Sequence, residues 1–130
     1  MTKSTEKTNP RVVLYARVGT EAQARDDHHT LNAQLSELRA YAASRGWTNS
    51  GEFAEMISGL RRDRPQLEAV LTLAQAQAFD ILLVHDLARL SRSVPHIIEI
   101  LDLLENQQVG LASLKEPDFS AWRRTTALII

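Results

Sequence analysis

The chain has 130 residues, 44% of them apolar, which is enough for one domain of ordinary size with a real core. Fifteen Lys and Arg against sixteen Asp and Glu give a net charge of −1, so no overall basic field announces nucleic acid. With no Cys there is no disulfide and no thiolate metal site, which suits a reducing cytoplasm, and the polar stretch Met1 to Pro10 lacks the apolar run of a signal peptide or membrane anchor.

Met1 to Pro10 is expected to be a disordered tail. Arg11 to Arg17 reads as a first strand that Gly19 ends, and Val18 to His29 as a polar loop. Thr30 can cap a helix whose Leu31, Leu35, Leu38 and Ala42 fall on one apolar stripe, with Gly46 as its stop. Trp47 to Ala54 is a weaker second strand. Glu55 to Arg64 is predicted as a loop, after which Pro65 opens a helix that uses Leu67, Val70, Leu71 and Ala74. Ile81 to Val84 is a short apolar run with β-branched ends, hence a buried third strand. Ser93 or a neighbour caps a helix over Pro95 to Gln108 with a broad apolar face of Ile97, Ile98, Ile100, Leu101 and Leu104. Val109 to Leu114 is the last strand, closed by Glu116-Pro117-Asp118, and from Ser120 the chain turns helical again.

Strand and helix alternating four times predict an α/β fold: a doubly wound, mainly parallel sheet of four or five strands with helices on both faces. In such sheets the site forms outside the carboxyl ends of the strands. Arg17 and Gly19 then end strand one, while Glu55, Ser58, Arg61, Arg62 and Arg64 follow strand two. Arg89 and Arg92 follow strand three, and Glu116 and Asp118 follow strand four. Twelve of the fifteen cations are arginines, which favour directed, planar anion contacts, although a high-GC genome produces the same bias without function.

Two guanidiniums at the mouth of a core strand are costly unless an anion meets them, and a phosphate is their bidentate partner. Several arginines around one point, with no carboxylate cluster for Mg²⁺, suit a site that neutralises a phosphodiester and its developing charge directly. No Gly-x-x-x-x-Gly-Lys loop and no Gly-x-Gly-x-x-Gly turn occurs. His28, His29, His85 and His96 fit no usual zinc spacing and read as solvent or packing residues.

Tyr15-Ala-Arg-Val-Gly-Thr-Glu-Ala-Gln23, Thr30-Leu-Asn-Ala-Gln34, Ser58-Gly59, Asp63-Arg-Pro65, Leu87-Ala-Arg-Leu-Ser-Arg-Ser93 and Val109-Gly-Leu-Ala-Ser-Leu114 together resemble the catalytic domain of serine site-specific recombinases, the resolvase and invertase family. The resemblance runs from about Arg11 to Thr126 and agrees with the doubly wound fold. It implies a serine that attacks a DNA phosphodiester, leaving a 5′-phosphoserine linkage and a free 3′-hydroxyl, with no metal or other cofactor. It implies that Arg17, Arg64, Arg89 and Arg92 hold the scissile phosphate, that Gln34 and Ser58 are further polar positions of the site, and that Glu55 stands where the family often has Asp.

Two departures bear on activity. The family motif Tyr-x-Arg-Val-Ser-Thr has its nucleophile where this chain has Gly19, and Leu-Asp-Arg-Leu-Ser-Arg has an acid where this chain has Ala88. Glycine has no atom that can attack phosphorus, so no normal strand cleavage is expected. Thr20 should point to the other side of an extended segment, Ser91 and Ser93 cap the next helix, and Asp86 would lie on the side of Ala88 if the segment stays extended.

The expected organisation is a tail over 1–10, a catalytic domain over 11–119, and over 120–130 the start of a C-terminal helix that the family continues into a DNA-binding domain. The apolar Leu128-Ile-Ile130 needs cover, which predicts a homodimer or pairing with another recombinase subunit. DNA contact by this chain alone is expected to be weak or absent. The competing expectation is a non-enzymatic interaction or regulatory module built on the same fold.

Overall fold

A computed structural model describes residues 9–19, 30–58, 60, 61 and 63–116. The expectations for the N-terminal tail, for the loop at 20–29, for Gly59 and Arg62, and for the segment from Pro117 onward lie outside these residues. The elements are β1 (Arg11–Val18), α1 (Leu31–Ser44), β2 (Thr48–Met56), α2 (Pro65–Gln75), β3 (Ile81–Val84), α3 (Leu87–Leu90), α4 (Val94–Asn106) and β4 (Gly110–Ser113).

All strand pairings are parallel, in the order β2-β1-β3-β4. β1 is paired on both sides, and residues 12–18 are all buried, as a strand covered on both faces requires. Its alternation divides the core. Val12, Leu14 and Ala16 meet Leu35, Leu38 and Ala42 of α1 on one face of the sheet. Val13 and Tyr15 meet Leu67, Val70 and Ala74 of α2 and Ile100, Leu101 and Leu104 of α4 on the other. The chain steps from β1 outward to β2, then crosses back past β1 to β3 and on to β4. With crossovers of one hand, that reversal puts α1 on the opposite face from α2 and α4.

The helix starts follow from their capping chemistry. Thr30 is extended (φ −64°, ψ 159°), and its hydroxyl accepts from the Ala33 amide at 3.0 Å. Ser93 does the same for α4, accepting from the His96 amide at 3.3 Å. Pro65 sits in the first turn of α2. The three longer helices all end on one motif. The residue after the cap has positive φ: Gly46 (75°), Gln77 (55°) and Gln108 (62°). The amides of Trp47, Ala78 and Val109 then bond back to the carbonyls of Ala42, Leu73 and Leu104.

Four expectations need correction. β2 continues through Glu55 to Met56, so Glu55 belongs to a strand rather than to a loop. α4 stops at Asn106 because Gln108 takes the left-handed conformation. Ile98 is 51% exposed, so the buried face of α4 is narrower than the apolar run suggested. The segment after β3 is not extended: Leu87–Leu90 forms a helical turn, so Asp86 and Ala88 do not share a side. Among the described residues no helix is long and apolar enough to cross a membrane.

Candidate functional site

The order β2-β1-β3-β4 has its switch point where β1 and β3 lie side by side and their continuations diverge, the place where open α/β sheets form their sites. Arg17, one residue from the end of β1, is 2% exposed. The buried amide of Gln34 on α1 grips its backbone, accepting from the Arg17 amide at 3.2 Å and donating to the Arg17 carbonyl at 2.9 Å. Gln34 thus fixes the strand end that Gly19 follows.

The guanidinium of Arg17 reaches across the sheet end. Nε donates to the Arg89 carbonyl at 2.8 Å, Nη1 to the Ile57 carbonyl at 2.9 Å and Nη2 to the Ala88 carbonyl at 2.7 Å. One cation therefore ties β1 to the segment after β2 and to α3. Burial pulls its pKa down, and repulsion by Arg64, and more weakly by Arg89 and Arg92, adds to this, while Tyr15 acts in the opposite direction.

Arg64 is fully buried just before Pro65, and its Nη2 donates to the Leu90 carbonyl. Its Nε and Nη1 are buried with no hydrogen-bond partner. Burial lowers its pKa, while Tyr15 and Glu55 act in the opposite direction. Arg89 on α3 donates Nη1 to the Arg17 carbonyl at 3.4 Å, and its buried Nε has no hydrogen-bond partner. Arg17 and Arg64 thus gather on the carbonyls of the α3 turn that carries Arg89, and Arg64 and Arg89 hold buried N–H groups that the described residues leave unsatisfied. Such groups are costly unless an anion completes them. Arg92, just beyond α3, is exposed. Arg61 is exposed and pairs with Asp63 at 3.5 Å.

Glu55 faces the cluster but is engaged in holding the fold. It pairs in register with Arg17 on β1. Its carboxylate accepts from the Tyr15 hydroxyl at 2.5 Å and from the amides of Gln66 and Leu67, each at 3.1 Å. The N-cap residue of α2, Arg64, offers no side-chain cap, so Glu55 supplies it from the neighbouring strand. Burial, followed by this hydrogen bond, pushes the Tyr15 phenol well above its ordinary pKa.

The other predicted residues divide. Gly19 is half-buried directly after β1, and the Ser58 hydroxyl accepts from the Leu60 amide at 3.1 Å, closing a turn beyond β2. Ala88 is exposed on α3 and contributes its carbonyl to Arg17. Ser91 is 1% exposed, its hydroxyl accepts from the Ser93 amide at 3.0 Å, and it lies 3.2 Å from Nδ1 of buried His96. That pairing resembles a nucleophile beside a base, but the hydroxyl is engaged by the Ser93 amide in the turn into α4. Ser91 shapes the turn into α4, and Ser93 is the cap.

Sequence reasoning assigned no role to Glu37, read His85 only as a solvent or packing residue, and did not see that Tyr15 bonds Glu55 or that Glu116 meets the first amide of α3. The Leu87 amide donates to the Glu116 carboxylate at 3.1 Å. Asp86 directly before Leu87 was a readable N-cap residue, hidden by the apolar run before it. Among the described residues no group of three or more His, Cys, Asp or Glu side chains could hold a metal ion.

Residues 12–129 match the family model of the resolvase N-terminal domain. The Transposon Tn917 resolvase of Enterococcus faecalis is 32% identical over 102 residues, covering 78% of this chain and 48% of the relative. The Probable DNA-invertase y4cG of Sinorhizobium fredii is 39% identical over 108 residues, covering 82% of this chain and 30% of the relative. The chain thus spans half or less of the length of these curated relatives. Among solved structures, the N-terminal catalytic domain of TP901-1 integrase superposes with a TM-score of 0.80 at 30% identity, covering 92% of this chain and 90% of that one. The C-terminal catalytic domain of ISC1926 TnpA, an IS607-like serine recombinase, gives a TM-score of 0.72 at 26% identity, covering 80% and 70%. With the family model matched along nearly the whole chain and a recombinase fold around the buried arginines, the chain belongs to the resolvase family, whose serine-recombinase catalytic domain it carries.

Proposed function

We propose that this chain is a DNA-recombination domain that holds a phosphodiester in its arginine site and does not cut it. The observation that carries the reading is the pair Arg64 and Arg89, which reach the Leu90 and Arg17 carbonyls and keep buried guanidinium nitrogens without a hydrogen-bond partner among the described residues. A phosphoryl oxygen is the acceptor such donors suit. Exposed Arg92 adds long-range attraction, and Arg17 braces the elements that carry the other three.

Cleavage needs a nucleophile in line with the phosphorus, and Gly19 stands where the family has serine. The Ser91 hydroxyl is engaged by the Ser93 amide in the turn into α4, so it is no substitute. The partners that follow are DNA and other recombinase subunits. A second reading, an interaction module that pairs with an active subunit, is favoured by Val94 and Ile98, 67% and 51% exposed and one turn apart on α4.

The test uses supercoiled DNA carrying candidate recombination sites. The chain is compared with its Gly19→Ser/Ala88→Asp form, both fused to a recombinase DNA-binding tail, and covalent protein–DNA adducts are scored by denaturing gel. The expected result is an adduct only with the double variant. An adduct with the unaltered chain overturns the inactivity, and none with the double variant counts against the whole-site reading. Alongside, Arg89→Ala should weaken inorganic phosphate binding by on the order of a kcal/mol or more, the worth of a charge-assisted contact, and Arg92→Ala, whose charge acts from an exposed position, by less.

A further inference from the structure

Behind Arg89 lies a chain of charged and polar groups that the phosphate-site reading leaves unused. Asp86 directly precedes α3, and its Oδ1 accepts from the Arg89 amide at 3.0 Å, an ordinary N-cap. Capping requires only that one oxygen. The other, Oδ2, lies 3.0 Å from Nδ1 of His85 and 3.7 Å from Nε of Arg89. His85 is 5% exposed and directly follows β3. On its far side Nε2 lies 2.8 Å from Oε1 of Glu37, whose side chain projects from α1 with 55% exposure. Glu37, His85, Asp86 and Arg89 therefore form one continuous line from the solvent side of α1 to the arginine cluster.

The geometry of the last link matters most. At 3.7 Å the Asp86 carboxylate attracts the Arg89 guanidinium from outside hydrogen-bond range, so Nε is drawn into place yet keeps its proton for another acceptor. The direction of Oδ2 is set by His85, and the ring is held in turn by Glu37, the arrangement by which a second group fixes the orientation of a working one. Position 88, where the family has an acid beside the arginine, is Ala88, and its side chain faces solvent. A carboxylate beside Arg89 is nevertheless present, supplied from two residues earlier.

We infer that Glu37, His85 and Asp86 are positioning residues that aim the Arg89 guanidinium at a phosphoryl oxygen. The inference rests on the phosphate-site reading for its purpose, but the aim of Arg89 can be measured without any anion.

The experiment follows the arginine Nε–Hε resonances of the full chain by NMR, first alone and then during titration with inorganic phosphate. The variants are Glu37→Gln, His85→Gln, His85→Leu and Asp86→Asn. Asn remains a good N-cap, so Asp86→Asn removes the charge and keeps the turn. Gln at 85 keeps a side-chain hydrogen-bonding group, whereas Leu keeps none. Without phosphate, the Arg89 Hε signal is expected to shift and exchange faster in Asp86→Asn and His85→Leu, and to return towards the native position in His85→Gln. Phosphate affinity is expected to fall about fivefold to tenfold in Asp86→Asn and His85→Leu and about twofold in Glu37→Gln.

An Arg89 signal unchanged in both Asp86→Asn and His85→Leu overturns the inference whatever phosphate does. If either of these fails to fold, Glu37→Gln, on an exposed helix position, decides: an Arg89 signal identical to the native one again overturns it. A native chain that binds no phosphate while the Arg89 signal responds to these substitutions supports the positioning line and removes the phosphate-site reading instead.

Discussion

Glu55→Ala separates a carboxylate that serves the chemistry from one that holds the fold. The substitution removes the acceptor for the amides of Gln66 and Leu67, an N-cap loss of about 0.5 to 2 kcal/mol. It also strands the hydroxyl of fully buried Tyr15, and an unpaired buried donor costs about 1 to 3 kcal/mol. Both contacts run through one carboxylate, so the two losses overlap, and the expected destabilisation is about 1 to 4 kcal/mol. Urea unfolding followed by circular dichroism at neutral pH reads it as a lower midpoint at constant slope. Glu55→Gln keeps one acceptor oxygen and should lie between the two. Because the carboxylate offsets the buried charge of Arg64, removing it should leave phosphate affinity equal or stronger in the fraction that stays folded. A loss below about 0.5 kcal/mol for Glu55→Ala, where the smallest cap loss begins, would refute the capping argument. So would an abolished phosphate interaction in fully folded protein.

Gln108 ends α4 at φ 62°, a conformation that costs a residue with a Cβ about 1 kcal/mol, so Gln108→Gly should stabilise the chain by roughly 0.5 to 1 kcal/mol. Gly46→Ala, at φ 75° with open space around the position, should destabilise it by a similar amount, both read as shifts in thermal midpoint. Arg39 meets Glu52 through two contacts of 2.7 Å, joining α1 to β2, and this pairing first, with help from Asn49, holds the Glu52 carboxyl below the ordinary glutamate range. A depressed folded-state value means that the pair's contribution is present above the unfolded-state pKa and fades as pH falls through the folded one. Carboxyl carbon NMR should therefore show a low Glu52 midpoint that Arg39→Gln restores to the ordinary range.

Most of the architecture was legible because it is written in short-range patterns. The continuous apolar run Val12 to Ala16 declares a strand buried on both faces, and Leu35, Leu38 and Ala42 mark the stripe of α1. Thr30, Pro65 and Ser93 announce helix starts, and Gly46 announces a stop. What stayed hidden depends on partners distant in sequence or on conformations the residue type does not advertise. Gln77 and Gln108 end helices with the same backbone as Gly46, yet glutamine carries no such signal. Glu55 looked like a loop acid because its cap lies eleven and twelve residues on, and its phenol partner forty residues back. The arginine edge was visible as a gathering of residues at strand ends. The distances among Arg17, Arg64 and Arg89 were not, since they depend on which carbonyls each guanidinium meets.

Those carbonyls divide the arginines into two kinds. Arg17 satisfies three nitrogens on Ile57, Ala88 and Arg89, so it acts as a brace at the point where β1, the segment after β2 and α3 converge. Removing it would take a charged donor from three part-buried acceptors at once, a loss on the order of a kcal/mol for each. A chain that never held DNA would still keep Arg17 for this reason, so its presence says nothing about an anion. Arg64 and Arg89 differ, because each keeps buried guanidinium nitrogen that finds no hydrogen-bond acceptor among the described residues. Selection for stability alone favours replacing such groups with apolar side chains of similar volume. The case for a retained phosphate site in a chain with glycine at position 19 therefore rests on Arg64 and Arg89.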